Sequence, residues 1–507
     1  MIRSGAFGWA ACRLRSLICL VVLSAGSILP FPAPGEARES RFKAIELFDK
    51  VFQLVRTRFV EKESPRKLID SAIAGLIAGA KMDPISIDHE RGDDTQPSLT
   101  RNDDVYRAVV HFGNLFERIR LRAAAKPNDE ELVAFAINAM LADIDPHSSY
   151  MNSQSFGELQ VGPEQGFGGA GVEITNRAGS TVVVSVFKES PADRAGVRPG
   201  DIITYVDDDP LDGLALQQVI RKLRGPTGSS MRLRLRRKGV DRPIDIAVSR
   251  EIVRQHAVVT RAIDNVAYVR VTQFSNQATD ELRQGITALQ SKIPFGNLKG
   301  YIFDLRNNEG GLLDQSISVA DAFLEQGEIV TTRARNPDEA QRFDAKPGDL
   351  IGGKPLIVLI NGKTAGVSEI VAGALQDHRR ATLLGSRTFG YGSVQTIIPL
   401  ESGNGALRLT TARYFTPSGR SIQAMGIVPD IQVLQDVPED ARSDADSKGE
   451  AALRAHLKGE GREETGSQSY VPPDPRDDKA LQMAIGLLRG VRTHPAFRPN
   501  SKAVGAK

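Results

Sequence analysis

Residues 355–378 read PLIVLINGKTAGVSEIVAGALQDH, and two structural signals are packed into them. Residues 356–360 are an unbroken apolar run between Pro355 and an Asn-Gly turn, the pattern of a strand buried on both faces. SEIVAGALQDH (368–378) follows as a helix. The same alternation surrounds it. VAYVRV (266–271), GYIFDLR (300–306) and ATLLGS (381–386) read as strands, and SVADAFLEQG (318–327) as a helix. Strands alternating with helices specify an α/β layer with a parallel-rich sheet. The Gly-Lys-Thr after the strand imitates a phosphate loop. That loop needs a further Gly five residues before Gly362, where Ile357 stands, so nucleotide hydrolysis is set aside.

Upstream, residues 160–250 hold β-rich runs, TVVVSVF, DIITYV and MRLRLRR, with the helix LALQQVIRKLR between the last two. Gly166, Gly168 and Gly171 match the dinucleotide spacing GxGxxG. The β-type VEIT follows them and no strand precedes, so no helix N-terminus is there to meet a pyrophosphate. Residues 41–155 read as helices. Phe48, Phe52, Arg56, Arg58, Leu68, Ala72, Ile73 and Ala78 recur 64 positions on as Phe112, Phe116, Arg120, Arg122, Leu132, Ala136, Ile137 and Ala142. The readings are a duplicated helix pair or convergent amphipathicity, and the matching arginines favour duplication. Residues 434–475 are polar and predict disorder. DDKALQMAIGLLRG then predicts a C-terminal helix within 476–507.

The 507 residues suffice for about three domains. A net charge of +3 excludes a strongly basic nucleic-acid binder, and no nucleic-acid partner is expected. Both cysteines, Cys12 and Cys19, lie in the first twenty residues, which excludes disulfide scaffolds and Cys-ligated zinc elsewhere. The seven histidines show no HExxH, so neither metal nor cofactor is expected. Arg3, Arg13 and Arg15 precede the apolar run 17–29, then Pro30, Pro32, Pro34 and small residues at Gly35 and Ala37. That order predicts an export signal, 1–37, cleaved near Ala37, with retention as a membrane anchor the alternative.

Four segments occur in order: FDLRNNEGG (303–311), NGKTAGVSEIVAGALQDH (361–378), RTFGYGSVQTIIPL (387–400) and LRLTTARYFTPSGRSIQAMGIVPDI (407–431). With DPHSSYM (145–151), they closely resemble the carboxyl-terminal processing, or tail-specific, serine proteases. The resemblance implies a helical region at 38–159, a PDZ domain at 160–250 inserted before a protease core at 251–433, and life outside the cytoplasm, in the periplasm or cell envelope. It makes Phe167, Gly168, Gly169, Ala170, Gly171 and Val172 a carboxylate-binding loop for C-terminal peptide tails of envelope proteins. A tail would add as a strand beside VEI, walled by the helix at 215–223. It also makes Gly310 and Gly311 part of an oxyanion-type turn.

The family works through a Ser–Lys dyad, and here the sequence departs. The nucleophile position is Gly366, and the general-base position is Tyr391; the Gln that helps to hold the lysine is kept as Gln395. Glu309 replaces a usual Pro. Tyrosine, with an ordinary pKa near ~10, is a poor proton acceptor at neutral pH. The expectation is an inactive homologue that binds tails, or assembles with itself or with an active paralogue. The alternative is an enzyme with a relocated nucleophile at Ser368, Thr364 or Ser393. Lys363 with Thr364 has no precedent as a pair, and Ser368 is expected to cap the helix beginning near Glu369 and to point away.

Overall fold

The computed structural model describes residues 34–82, 101–123, 128–161, 167–177, 179–252, 256–401, 403–497 and 499. Most of the expected export signal lies outside them.

Four helices open the described chain: α1 (Pro34–Arg58), α2 (Pro65–Gly79), α3 (Arg101–Arg122) and α4 (Asp129–Ala142). They pack as α1 on α4 and α2 on α3, with α2 against α4 in the middle. Residues 64 apart meet or play the same part. Phe48 stacks on Phe112 with ring centres 3.5 Å apart, flanked by Phe52 at 6.0 Å and Phe116 at 6.2 Å. Ser64 caps α2 and Asn128 caps α4, each accepting from the third backbone N–H beyond it.

A smaller sheet unit follows. Its strands run in the order Val172–Arg177, Ser180–Val186, Ile202–Val206, Ser230–Arg236, Ile244–Ser249, with the helix Leu216–Leu223 beside them. In Ser230–Arg236 the arginines are exposed and Met231, Leu233 and Leu235 are buried, the period-two signature of a sheet with one wet face.

The core carries two sheets. One orders Val258–Ile263, Val266–Val271, Gly300–Asp304, Leu356–Ile360, Thr382–Gly385 and Ile431–Gln432; the first pair is antiparallel and the other four pairings are parallel. Helix Val367–Asp377 is buried on nearly every side, which is why it lacks a polar face. The other sheet is antiparallel and centres on the long strand Ala406–Phe415. The C-terminal helix Lys479–Leu488 covers the free face of the parallel sheet with Leu481, Ala484 and Leu487.

The expectation of disorder over 434–475 is corrected. Gly362 N–H donates to the Gln468 carbonyl at 2.9 Å, Asn361 Nδ2 to the Ser469 carbonyl at 2.8 Å, and Arg387 Nη2 to the Glu464 carbonyl at 2.7 Å. Glu450 is fully buried and Leu457 nearly so. This strap is held mainly through its main-chain carbonyls, which accept from polar groups of the core. Composition registers apolar content and cannot register that.

Candidate functional site

The core's candidate site stands outside the carboxyl ends of the parallel strands, where open α/β sheets place ligands. After Gly300–Asp304 and after Leu356–Ile360 the chain makes two tight turns that lock together. Asn361 Nδ2 donates to Asn307 Oδ1 at 2.8 Å, Asn361 Oδ1 accepts from Asn307 N–H at 3.0 Å, and Ala365 N–H donates to the Asn308 carbonyl at 2.9 Å. The second turn ends at Gly366, the residue that opens helix Val367–Asp377, with φ 59° and ψ −126°. This is a sharp strand-to-helix elbow in backbone space that favours glycine. It has room for a side chain: a β-carbon on Gly366 would sit 3.5 Å from the Glu309 carbonyl oxygen and 3.6 Å from Tyr391 Cδ1, ordinary contacts. The two positions singled out in the sequence are therefore neighbours.

Glu369 joins them. Its carboxylate accepts from the N–H groups of Gly366 (3.0 Å), Gly390 (2.8 Å) and Tyr391 (2.8 Å), and from the Thr388 hydroxyl. It is fully buried, and burial pushes its carboxyl up to about 7 against the pull of those donors.

The Tyr391 hydroxyl donates to Gln395 Oε1 at 2.6 Å, and Gln395 Nε2 donates to Ser393 Oγ and Thr410 Oγ1, each at 2.9 Å. Thr410 and Ser148 hydroxyls both donate to buried Asp145 Oδ2, at 2.5 and 2.6 Å. On its ring face Tyr391 stacks with His147, centres 4.0 Å apart, and His147 Nε2 lies 2.9 Å from buried Glu450 of the strap. Burial, and then the negative charges of Asp145 and Glu450, raise the Tyr391 phenol well above its ordinary value. It stays protonated at any physiological pH and is no base.

Ser368 corrects one expectation. It is the second residue inside the helix rather than its cap, and its hydroxyl donates to the Asn308 carbonyl at 3.0 Å. Thr364 Oγ1 donates to the Leu305 carbonyl at 2.9 Å and accepts from Asn361 N–H at 3.0 Å. Ser393 is buried beneath Gln395. Lys363 is exposed. Gly310 donates its N–H to Asn308 Oδ1 at 2.9 Å, inside its own turn, so it does not present that group outward as an oxyanion-type turn requires. A β-carbon on Gly311 would lie 2.4 Å from the Phe274 carbonyl oxygen, so that position admits only glycine. Glu309 is exposed.

The peptide loop is narrower than the six residues expected. Gly168 pairs with Gly225, and Gly169 exchanges hydrogen bonds with Glu251, donating at 2.9 Å and accepting at 3.2 Å. The carbonyls of Ala170 and Gly171 hold the next turn, accepting from Ala192 and Phe187. Among the described residues this leaves the N–H groups of Ala170 and Gly171, the latter at φ 79°, without a main-chain acceptor, two successive donors of the kind an anion-binding nest would use. Among the described residues Val172–Arg177 is an edge strand, paired only with Ser180–Val186, and Val219 and Leu223 of the neighbouring helix belong to the same apolar cluster as Ala170, Val172 and Ile174.

Sequence reading missed Glu369, His147, Asp145 and Glu450 as site groups. DPHSSYM was visible as a motif, but what brings it to Tyr391 is docking. Arg335 donates to the Arg56 carbonyl at 2.6 Å and to that of Phe59 at the end of α1, Val60 N–H donates to the Thr410 carbonyl at 3.0 Å, and Ser149–Met151 pairs with the strand Ala406–Phe415.

Residues 265–433 match peptidase family S41, and residues 182–237 match the PDZ domain. The chain is 48% identical over 411 residues, 80% of its length and 94% of the other's, to the carboxy-terminal-processing protease of Bartonella bacilliformis. It is 32% identical over 64% of its length to the carboxy-terminal processing protease CtpA of Bacillus subtilis, of which 69% is covered. It is 34% identical over 63% of its length to the carboxyl-terminal-processing protease of Synechocystis, of which 75% is covered.

Proposed function

The chain belongs to the carboxy-terminal-processing proteases of peptidase family S41, and we propose that within the family it is a pseudoprotease. It binds the C-terminal tails of exported proteins in the cell envelope without cutting them, alone or in assembly with an active paralogue. The observation that carries this reading is the pair at the elbow: Gly366 has no side chain to attack a carbonyl, and Tyr391 is a half-buried phenol already bonded to Gln395. The nest of Ala170 and Gly171 beside an edge strand supports tail binding, since a terminal carboxylate and an added strand are what such a groove accepts. The hydroxyls of Ser368 and Thr364 are committed to main-chain carbonyls, which weighs against a relocated nucleophile.

The test uses a peptide with a free C-terminal carboxylate, its amide, and unfolded casein. Binding of the acid, weak or absent binding of the amide, and intact casein are expected. Casein turnover that persists through repeated purification and in Ser368→Ala would overturn the pseudoprotease reading.

A further inference from the structure

Arg250 ends the last strand of the small sheet unit and is only 8% exposed. Its guanidinium sits at the C-terminal end of the helix Leu216–Leu223. Nε donates to the Leu223 carbonyl at 3.3 Å and Nη2 to the Lys222 carbonyl at 3.0 Å, the C-terminal end of the groove helix. Nη1 donates to Ser229 Oγ and to the Ser230 carbonyl, both at 3.3 Å, and Asp207 is the nearest carboxylate at 4.0 Å. A cation at the end of a helix meets carbonyls with no partner inside the helix and the negative end of its dipole. The rigid guanidinium plane holds two successive carbonyls through Nε and Nη2 in one fixed geometry, which the rotating donors of an ammonium on a flexible stem do not fix.

The main chain at the same place holds the other wall. Arg250 N–H donates to the Ser229 carbonyl and its carbonyl accepts from Gly228, both at 2.7 Å. Glu251, next along, makes the two-way bridge to Gly169, and its carboxylate pairs with Arg194 at 2.5 Å. Arg194 belongs to the turn that binds the Ala170 and Gly171 carbonyls. Two glycines mark how closely these parts approach. A β-carbon on Gly168 would fall 2.8 Å from the Arg250 carbonyl carbon, and one on Gly225 would fall 2.8 Å from Arg250 Cδ and 2.9 Å from its Nε.

We propose that Arg250 is the positioning residue of the peptide groove. Its guanidinium sets the groove helix while its main chain and Glu251 set the carboxylate nest, so that one residue fixes the spacing between the two walls. This rests on the tail-binding reading above, which supplies the ligand.

The probe is a fluorescein-labelled decapeptide ending in valine, as free acid and as amide, titrated against the full chain and against Arg250→Lys. Amide hydrogen exchange of Gly169 is read in parallel. Wild type should prefer the acid. Arg250→Lys should bind the acid at least about tenfold more weakly, lose most of the acid-over-amide preference, and exchange Gly169 about tenfold faster, with core melting unchanged. A residue that served stability alone would not alter the acid-over-amide ratio. Gly225→Ala, which displaces the guanidinium without removing it, should do the same and stands in if Arg250→Lys does not fold. Unchanged Gly169 exchange and acid preference in both variants would overturn the assignment. A wild-type chain that binds neither peptide, with Gly169 still loosened by the substitutions, would overturn tail binding and with it the role of Arg250 in it.

Discussion

Replacing Gly366 by serine and Tyr391 by lysine together is expected to turn the chain into a protease. The cost of the serine can be worked from the elbow. At φ 59° and ψ −126° a non-glycine residue is strained by about 1–3 kcal/mol, and removing glycine's freedom in the unfolded chain returns roughly 0.4–1 kcal/mol. Contacts at 3.5 and 3.6 Å add no clash. A net loss of about 1–2 kcal/mol should lower the melting temperature of the core by roughly 2–8 °C, well short of unfolding it. The lysine forfeits the His147 stack, about 0.5–1.5 kcal/mol, but Gln395 Oε1 remains to orient its amine. Asp145 and Glu450, whose charges help to hold the Tyr391 proton, would also hold an ammonium charged. Activity of the double variant should therefore rise as pH increases from about 7 to 9. Because nucleophile and base act as a unit, each single variant should be at least ~10³-fold slower than the pair. The assay is casein turnover across pH, with mass-spectrometric mapping of an electrophile adduct to position 366. A double variant that melts within those few degrees, yet neither cleaves nor forms the adduct, would refute the reasoning that the dyad alone restores catalysis and would point to the Gly310 N–H, bonded inside its own turn, as a second loss.

Glu369 carries a pH signature. Its folded-state carboxyl titrates near 7 against an ordinary 4.5, so the folded chain holds the proton more tightly and stability falls as pH rises between those values. The stability advantage of wild type over Glu369→Gln, read by chemical denaturation, should shrink by up to about 3 kcal/mol from pH 4.5 to 7 and then level off; an advantage that grows with pH would contradict the assignment. Gly362→Ala puts a β-carbon 2.4 Å from the Ser467 carbonyl oxygen. It should loosen the strap, cost about 1–3 kcal/mol, and speed proteolysis within 434–475, while unaltered cleavage there would show the strap to be held elsewhere. Phe48→Ala and Phe112→Ala should each cost about 3–5 kcal/mol, and the double variant clearly less than their sum, because the two rings are each other's neighbours; additive losses measured by urea unfolding would argue against the stacked pair.

The strand-and-helix alternation around 355–378, the β-rich character of 160–250 and the helices of 41–155 were legible because each buries a periodic apolar set of its own. Gly366 and Tyr391 were legible because the motifs around them leave no other residue for the two roles. Glu369, by contrast, is one acidic residue at a helix start, bonded locally to the Gly366 N–H, until folding brings the loop 388–391 over it and gives its carboxylate three more donors. His147 and Glu450 lie 303 positions apart and meet only because α1 docks through Arg335 and a polar strap, bound through its carbonyls, runs between the helical region and the core. Elements that carry their own periodicity could be read along the chain. The environment of the site could not, because it is made of unlike segments whose polar groups complete one another only in three dimensions.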